Sequence, residues 1–230
     1  MKRKQNLADK RIKKQHLTAF TLSEVLIALT IIGVVAALTV PALIQRTQKQ
    51  EYVSALQKAY STFSQATNQI IAENGSPKGD DSWMTSKRDV YNMFKKYLNN
   101  SKDCGYTNSC FANTYKWLNG AVSAEMGGVD TNVGRLALAD GMGLEFFEWV
   151  WNKNCNGTLA NTKDVCAAIN VDLNGEKKPN QWGKDVFAFV LKENGLYPAG
   201  CDDRNADDCN RNGRGYSCAC KVLREGKMDY

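Results

Sequence analysis

A run of 20 residues without a charge, Val25–Ile44, constrains this chain more than any other part of its sequence. At about 1.5 Å per residue, a helix of that length spans roughly 30 Å, which is the thickness of the hydrocarbon core of a bilayer. The run therefore predicts a membrane-spanning helix near the N-terminus. The 230 residues leave room for a separate globular domain beyond it.

The net charge of +6 belongs to the segment before this run. Residues 1–19 hold seven basic side chains and one acid, Asp9, whereas the rest of the chain carries 23 of each sign. Because basic residues before an apolar helix stay in the cytoplasm, the C-terminal part is expected outside it. A balanced charge after the leader argues against nucleic-acid binding, which needs clustered Lys and Arg.

Eight cysteines follow the apolar run, and their even number favours disulfides formed in an oxidising compartment. They are Cys104, Cys110, Cys155, Cys166, Cys201, Cys209, Cys218 and Cys220. The first four suit two local loops, 104–110 and 155–166. The last four allow three connectivities, among them 201–220 with 209–218. A four-thiolate zinc site is the competing interpretation.

The only histidine, His16, lies in the basic leader. The usual general base is therefore missing from the rest of the chain, and Ser-His-Asp or Cys-His catalysis cannot be built there. We expect a protein that is not an enzyme.

The helical pattern continues beyond the apolar run to about Ala72. Residues at alternating steps of three and four form one stripe of an amphipathic helix. The stripe consists of Val53, Leu56, Tyr60, Phe63, Thr67 and Ile70. The sequence from Glu73 to Pro77 contains Gly and Pro and predicts the stop. Pro41 lacks a backbone N–H and is expected to kink the resulting helix of about 50 residues.

The remaining sequence predicts a mixed domain. Ser86, with Asp89 three residues on, is a candidate N-cap for a helix over Lys87–Leu98. Alternating patterns and turn residues then predict strands. These are Arg135–Ala139, Gly143–Val150, Ala167–Leu173 and Val186–Lys192. Trp149 and Trp151 are expected on a strand, packed in the core or on the sheet. We expect an α+β fold: a long N-terminal helix with a membrane-embedded first half, packed on an antiparallel sheet, and a disulfide-rich C-terminal region.

The residues at the start of the apolar run form a specific motif. Thr18-Ala19 is followed by Phe20-Thr21-Leu22-Ser23-Glu24 and then by the charge-free run. Together with the basic leader, this resembles the N-terminal signal of type IV prepilins and type II secretion pseudopilins. Two positions depart from the family pattern, since Ala19 replaces the more usual Gly and Ser23 a typical aliphatic residue.

The resemblance implies a processed membrane protein. A prepilin peptidase would cut between Ala19 and Phe20 and methylate the new amine of Phe20. The chain would then comprise a leader (1–19) that is removed, a filament-core helix (20–44), its amphipathic continuation (45–74) and a globular head (75–230). Other pilin subunits, the peptidase–methyltransferase and an inner-membrane assembly platform are the implied partners. The implied location is the inner membrane, then a pilus or pseudopilus.

Glu24 is the one carboxylate at the border of the apolar run. On insertion scales, a charge at the centre of a membrane helix costs about 2.5–3.5 kcal/mol unless it is paired. The methylated amine of Phe20 on a neighbouring subunit is a suitable partner, and such a pair would set the register between helices. A heterologous contact of this kind does not close and produces filaments. The sequence thus predicts a structural subunit.

Three alternatives stay open. A secretory signal has 7–15 apolar residues before a small-residue cut site, which Val25–Ala37 fits loosely. A plain single-pass anchor fits the apolar run as well. Within the pilin family, the chain could be a minor tip subunit that acts as an adhesion or DNA-uptake module.

A polar stretch between two predicted strands is a candidate calcium site. It reads Asp172-x-Asn174-Gly175, then Pro179-Asn180, then Gly183-x-Asp185. Calcium takes six to eight oxygen ligands, and Asp172, Asn174 and Asp185 are the candidates here. The stretch also looks like one found in pilin-like proteins, some of which hold calcium in a C-terminal loop. Alternatively, Asn and Asp merely cap a turn with their own backbone.

Overall fold

The computed structural model describes residues 21–98, 101–107, 110–126, 133–147, 150–202 and 208–230. The chain divides into two units, Met1–Gln45 and Arg46–Tyr230. The predicted α+β architecture is confirmed, with a long N-terminal apolar helix, an antiparallel sheet and four disulfides beyond it.

The first helix, α1, spans Leu22–Asn74 and contains Pro41. In the first unit its apolar side chains are exposed, with Leu22 at 80% and Leu38 at 74%. By length and composition this is a helix that could cross a membrane.

In the second unit α1 is amphipathic, as the stripe predicted. Its buried residues are Val53, Leu56, Ala59, Phe63, Ala66, Thr67 and Ile70, and Tyr60 is partly buried. The helix ends at Asn74, and Gly75 follows with a positive φ of 86°. A residue without Cβ takes that conformation at little cost, so the predicted stop is confirmed.

The second helix, α2, spans Lys87–Tyr97 and begins as predicted. The Asp89 carboxylate accepts hydrogen bonds from the Ser86 backbone N–H at 2.5 Å and from the Thr85 hydroxyl at 2.9 Å. The Ser86 N–H precedes the first turn and has no acceptor within the helix, so the Asp89 carboxylate satisfies it. A negative charge in the first turn also interacts favourably with the helix dipole.

Replacing Asp89 by Ala is expected to lower the free energy of unfolding by about 1 kcal/mol, because the cap and the favourable charge are both lost. At about 2–4 °C per kcal/mol, the midpoint of thermal unfolding should fall by a few degrees. Near-UV circular dichroism of the full chain in detergent measures it. Asp81→Ala is the matched control, since Asp81 is exposed in the preceding turn. Equal midpoints for the two variants would contradict the capping role.

Ten strands and a third helix make up the rest of the described chain. The strands are β1 Ser101–Gly105, β2 Tyr115–Lys116, β3 Val122–Ser123, β4 Gly134–Leu138, β5 Gly143–Phe147, β6 Gly157–Leu159, β7 Thr162–Val165, β8 Ala167–Asp172, β9 Val186–Lys192 and β10 Gly195–Pro198; the helix is α3, Cys218–Glu225. Six strands form the main sheet in the order β1-β4-β5-β8-β9-β10, and every neighbouring pair is antiparallel. The pairs β2-β3 and β6-β7 stand apart from this sheet.

The predicted hairpin and the two later strands are confirmed as β4-β5, β8 and β9. The prediction that Trp151 belongs to strand structure is wrong, because β5 ends at Phe147 and Trp151 lies in an irregular segment. Trp149 falls outside the described residues. Trp151 is nevertheless partly buried and packs against the core. Its apolar side chain therefore indicates burial, but not a strand.

Both faces of the sheet are covered. On one face Phe189 of β9 packs on α1, stacked with Tyr60 at 5.8 Å between ring centroids and edge-on to Phe63. On the other face Ala188 and Val190 lie under a layer of chain drawn largely from residues 104–126. Because side chains alternate along a strand, this second layer buries the face that a half-exposed sheet would leave to solvent.

All eight cysteines are paired in disulfides. The pairs are 104–110, 155–166, 201–220 and 209–218. The two local loops and one of the three connectivities considered for the last four are thereby confirmed. Since every sulfur is used, the four-thiolate zinc interpretation is wrong.

Candidate functional site

The start of α1 holds the one charged residue of the N-terminal motif. Ala19 and Phe20, the predicted cleavage and methylation residues, lie outside the described residues, whereas Glu24 lies in the first turn. Its Oε2 accepts hydrogen bonds from the Thr21 backbone N–H and hydroxyl, both at 2.8 Å. The Glu24 N–H donates to the Thr21 hydroxyl at 3.2 Å. This is a capping box, and its T-x-x-E signal was already readable in the sequence.

The capping box fixes the Glu24 side chain at the helix N-terminus, where the helix dipole favours a negative charge. Both hydrogen bonds of the carboxylate end on Oε2. A carboxylate accepts about four hydrogen bonds, so it has capacity for a further donor. Glu24 thus has a local structural role in addition to the assembly role predicted for it.

The charge-free part of α1 satisfies its polar groups internally. The Thr30 hydroxyl donates to the Leu26 carbonyl at 2.8 Å, and the Thr39 hydroxyl donates to the Val35 carbonyl at 2.9 Å. Such bonds satisfy the hydroxyl donors within the helix, so that they need no partner from an apolar environment. Pro41 lies within the helix without ending it, and the kink stays a prediction.

The second candidate site is the acidic loop, residues 172–185, which joins β8 to β9 as predicted. Asp172 is fully buried at the end of β8; its Oδ2 accepts from the Tyr115 hydroxyl at 2.7 Å and its Oδ1 from the Asn174 N–H at 3.1 Å. Asp185 is fully buried just before β9. It accepts from the backbone N–H groups of Asn180 at 2.8 Å and Gln181 at 2.7 Å.

Asn174 brings the two carboxylates together. One atom of its amide lies 2.9 Å from Asp172 Oδ1, 2.9 Å from the Lys177 carbonyl oxygen and 3.3 Å from Asp185 Oδ2. If that atom is the nitrogen, it donates to all three, and the amide oxygen accepts from the Tyr52 hydroxyl. If it is the oxygen, the nitrogen donates to the Tyr52 hydroxyl and the Lys178 carbonyl, both at 3.3 Å.

In the second orientation the Asn174 oxygen faces three other oxygens, those of Asp172, Lys177 and Asp185, whereas the first orientation gives both atoms of the amide a complementary partner. Four oxygens without a hydrogen between them repel one another unless a cation lies among them. Hard oxygen atoms from carboxylates, amides and carbonyls are the set that calcium prefers. The Asn180 Oδ1 oxygen of the same loop is buried as well, and no hydrogen-bond donor reaches it from the part of the chain that the structure describes.

The buried carboxylates are electrostatically costly without a cation. Burial raises the pKa of Asp172 to about 8, opposed by the Tyr115 hydrogen bond and reinforced by the charge of Asp185. Burial also raises the pKa of Asp185 to about 6, although the backbone donors of Gln181 and Asn180 oppose it. A divalent cation would favour the ionised form of both groups.

The loop thus offers oxygen atoms of the kind that calcium takes as ligands. No group of three His, Cys, Asp or Glu side chains converges in the described part of the chain, so the ligand set has to include amide and carbonyl oxygens. Lys177 and Lys178, whose charges count against a cation, are exposed. The predicted ligands Asp172, Asn174 and Asp185 are brought together, while calcium binding itself stays a prediction.

Tertiary contacts supply residues that the sequence analysis missed. Tyr115 belongs to β2 and Tyr52 to α1, and both hydroxyls reach the acidic loop across 57 and 122 residues of sequence. The Gln181 amide donates to the carbonyls of Trp117 and Leu118, both at 3.0 Å. No short-range pattern marks such residues, because their role arises only when distant segments meet.

Comparison with known proteins gives one match. A family model described as "Family of unknown function (DUF6613)" matches residues 42–216, which include the second half of α1 and the acidic loop. The N-terminal motif precedes the matched part. No curated protein and no solved structure matches the chain.

Proposed function

The chain belongs to the DUF6613 family, whose function is unknown; from its N-terminal motif and its helix α1 we propose that it is a structural subunit of a type IV pilus or a type II secretion pseudopilus. In this proposal a prepilin peptidase removes residues 1–19 and methylates Phe20. The first part of α1 then leaves the inner membrane and packs against the helices of other subunits. Its function is assembly, with no catalytic step.

The observation that carries the proposal is the two-part character of α1. Twenty charge-free residues present apolar side chains on every side, and the same helix then buries one face, from Val53 to Ile70, in the core of the second unit. An apolar helix without a soluble partner requires a membrane or other apolar helices around it. A filament subunit uses both environments in turn.

The motif at the border of the run distinguishes this proposal from a plain anchor. An anchor or a discarded signal peptide has no need of Phe20 followed by Glu24. In the proposal, the amine of Phe20 on one subunit pairs with Glu24 on the next. The capacity of the Glu24 carboxylate for a further donor is compatible with such a pair.

Mass spectrometry of the N-terminus of the membrane-extracted protein tests the processing step. We expect a chain that begins with N-methylated Phe20. A chain that begins near Leu38 would indicate a secretory signal, and an intact Met1 would indicate an unprocessed anchor. Either of these results would refute the proposal.

Fractionation then separates the two kinds of filament. Shearing releases pili from cells, so abundance in the sheared fraction indicates a major pilin, and traces there indicate a minor subunit. Retention of the processed chain in the envelope indicates a secretion pseudopilus.

We also propose that the acidic loop binds calcium through Asp172, Asn174, Asp185 and the Lys177 carbonyl. The approach of the Asn174 amide to oxygens of Asp172, Lys177 and Asp185, at 2.9–3.3 Å, supports it, since rotation of this amide would turn its oxygen towards them. A bound cation would neutralise the carboxylates of Asp172 and Asp185 where β8 and β9 meet, next to Tyr52 of α1. It would thereby stabilise the head. The proposal is independent of filament assembly.

A further inference from the structure

The C-terminal segment holds two disulfides, one of which encloses the other. Cys201 pairs with Cys220, and within that loop Cys209 pairs with Cys218. The first four cysteines of the chain, by contrast, pair in the order in which they occur in the sequence. Pairing in sequence order would here join Cys201 to Cys209 and Cys218 to Cys220, so the native connectivity has to be selected during folding.

Chain entropy alone does not make this selection. Cys209 follows Cys201 by 8 positions and precedes Cys218 by 9, so the wrong bond and the native bond close loops of nearly the same length. The entropy lost on closing a loop grows only with the logarithm of its length. In an unstructured chain, the two bonds are therefore expected to form at similar rates.

The carboxylate of Asp208 lies where it can favour the native bond. Its Oδ1 accepts hydrogen bonds from the Ser217 backbone N–H at 2.7 Å and from the Ser217 hydroxyl. Its Oδ2 accepts from the Tyr216 backbone N–H at 3.1 Å. Asp208 directly precedes Cys209, and Ser217 directly precedes Cys218. These hydrogen bonds therefore hold the two cysteines of the inner disulfide next to each other.

The turn between these residues supports the same arrangement. The Asp208 carbonyl accepts from the Gly215 N–H at 3.2 Å, and the Asn210 carbonyl accepts from the Gly213 N–H at 2.9 Å. A Cβ on Gly213 would lie 1.8 Å from the Asp208 carbonyl oxygen, so this close approach requires glycine. All of these partners lie between residues 208 and 217. Because the contacts are local, the turn can close before more distant segments of the chain have met.

We propose that Asp208 is a positioning residue that directs disulfide pairing in the C-terminal segment. By closing the turn over residues 208–217, its carboxylate presents Cys218 to Cys209 before Cys201 reacts. In the folded head both sulfurs of the inner disulfide are fully buried, which protects the selected bond from further exchange. The inference requires an oxidising compartment and does not depend on filament assembly.

The chemistry of the step is oxidation and thiol–disulfide exchange. For each bond, two thiols transfer two electrons and two protons to a disulfide oxidant, which is reduced to two thiols. Where Cys201 has reacted with Cys209 first, the Cys218 thiolate attacks the Cys209 sulfur and releases the Cys201 thiolate, so the number of disulfides is unchanged. Cys201 and Cys220 are then oxidised to the outer bond.

Oxidative refolding of the full chain tests the proposal. The reduced, denatured protein is diluted into a buffer of oxidised and reduced glutathione with a non-ionic detergent, and samples taken over time are quenched with an alkylating agent. Trypsin cleaves after basic residues between Cys201, Cys209 and Cys218 and so places these cysteines on three peptides. Mass spectrometry of the linked peptides then distinguishes the wrong first bond from the native one. In the unmodified chain we expect the native inner bond to form first and the wrong bond to stay a minor product.

Variants assign the effect to Asp208. In Asp208→Ala the two bonds should form in about equal amounts at early times, because their loops are of nearly equal length. Asp208→Asn keeps one acceptor oxygen and should give an intermediate fraction of the wrong bond. Glu225→Ala removes an exposed carboxylate at the end of α3 and should pair like the unmodified chain.

A thiol–disulfide isomerase distinguishes pairing from stability. Added in catalytic amounts, it should restore the native bonds in Asp208→Ala, because the proposed role of Asp208 is to select the order in which the bonds form. A variant that stays mispaired in its presence would assign Asp208 to the stability of the folded head and overturn the proposal. Equal early products from Asp208→Ala and Glu225→Ala would overturn it as well.

Discussion

Replacing Glu24 by Gln is expected to abolish filament assembly while leaving α1 and leader processing intact. Gln at this position still accepts the hydrogen bond from the Thr21 N–H, so the capping box survives. What disappears is the negative charge that the proposal pairs with the amine of Phe20 on the next subunit. Apolar helices would then lack the contact that fixes their register. Electron microscopy of sheared fractions measures the loss of filaments, which we expect to be at least tenfold.

The reciprocal variant separates the two roles of Glu24. Thr21→Val removes the hydroxyl from the capping box and keeps the charge, so this variant should still assemble. Mass spectrometry confirms that both variants are cut before Phe20. Normal filaments from Glu24→Gln would refute charge pairing. Equal defects in the two variants would assign Glu24 to capping alone.

Calcium is expected to stabilise the head strongly near pH 8. At a hundredfold excess over its dissociation constant, a ligand adds about 2.7 kcal/mol to the free energy of unfolding. This corresponds to a rise of about 5–10 °C in the midpoint for a domain of this size. Unfolding of the full chain in detergent, with calcium and with a chelator, measures the difference.

The sign of the pH dependence follows from the two raised pKa values. The folded values of about 8 for Asp172 and about 6 for Asp185 lie above the ordinary aspartate value near 3.9. The cation-free folded state therefore binds more protons than the unfolded state. The contribution of these two groups to its stability is greatest below about pH 4 and falls as the pH rises towards 8. Calcium binds the ionised carboxylates and displaces these protons, so its effect should be much smaller at pH 5 than at pH 8.

Two substitutions in the loop complete this test. Asp172→Asn mimics the protonated carboxyl, so this variant should lose both the calcium response and the part of the pH dependence that arises from Asp172. Glu176→Gln is the matched control, because Glu176 is exposed in the same loop and outside the oxygen cluster. If calcium has no effect on the unmodified chain at pH 8, Asn174 donates its amide hydrogens to the two carboxylates and the loop is a hydrogen-bonded turn.

Elements with a strong local signal were predicted closely. The stripe from Val53 to Ile70 identified the buried face of α1, and Ser86 with Asp89 identified the start of α2. The continuous apolar run in Val186–Lys192 identified β9. In each case the information lies within a few residues, because helix and strand periods are local properties of the backbone.

Elements defined by long-range packing were missed. The short strands β2 and β3 and the layer over the second face of the sheet have little periodicity of their own, and α3, although amphipathic, is only eight residues long. Disulfides and contacts with distant segments hold them instead. The segment around Trp151 was mispredicted for a related reason. An apolar side chain indicates burial, but it does not determine the backbone conformation.

The sequence by itself determined the apolar run, its basic leader, the motif around Phe20 and Glu24, and the candidate ligands Asp172, Asn174 and Asp185. Charge, hydrophobicity and spacing are properties of neighbouring residues, and so these features needed no coordinates. Only the tertiary structure placed Tyr115 and Tyr52 at the acidic loop. Those tyrosines are separated from the loop by tens to more than a hundred residues, and only the folding of the sheet between α1 and its second layer brings them together.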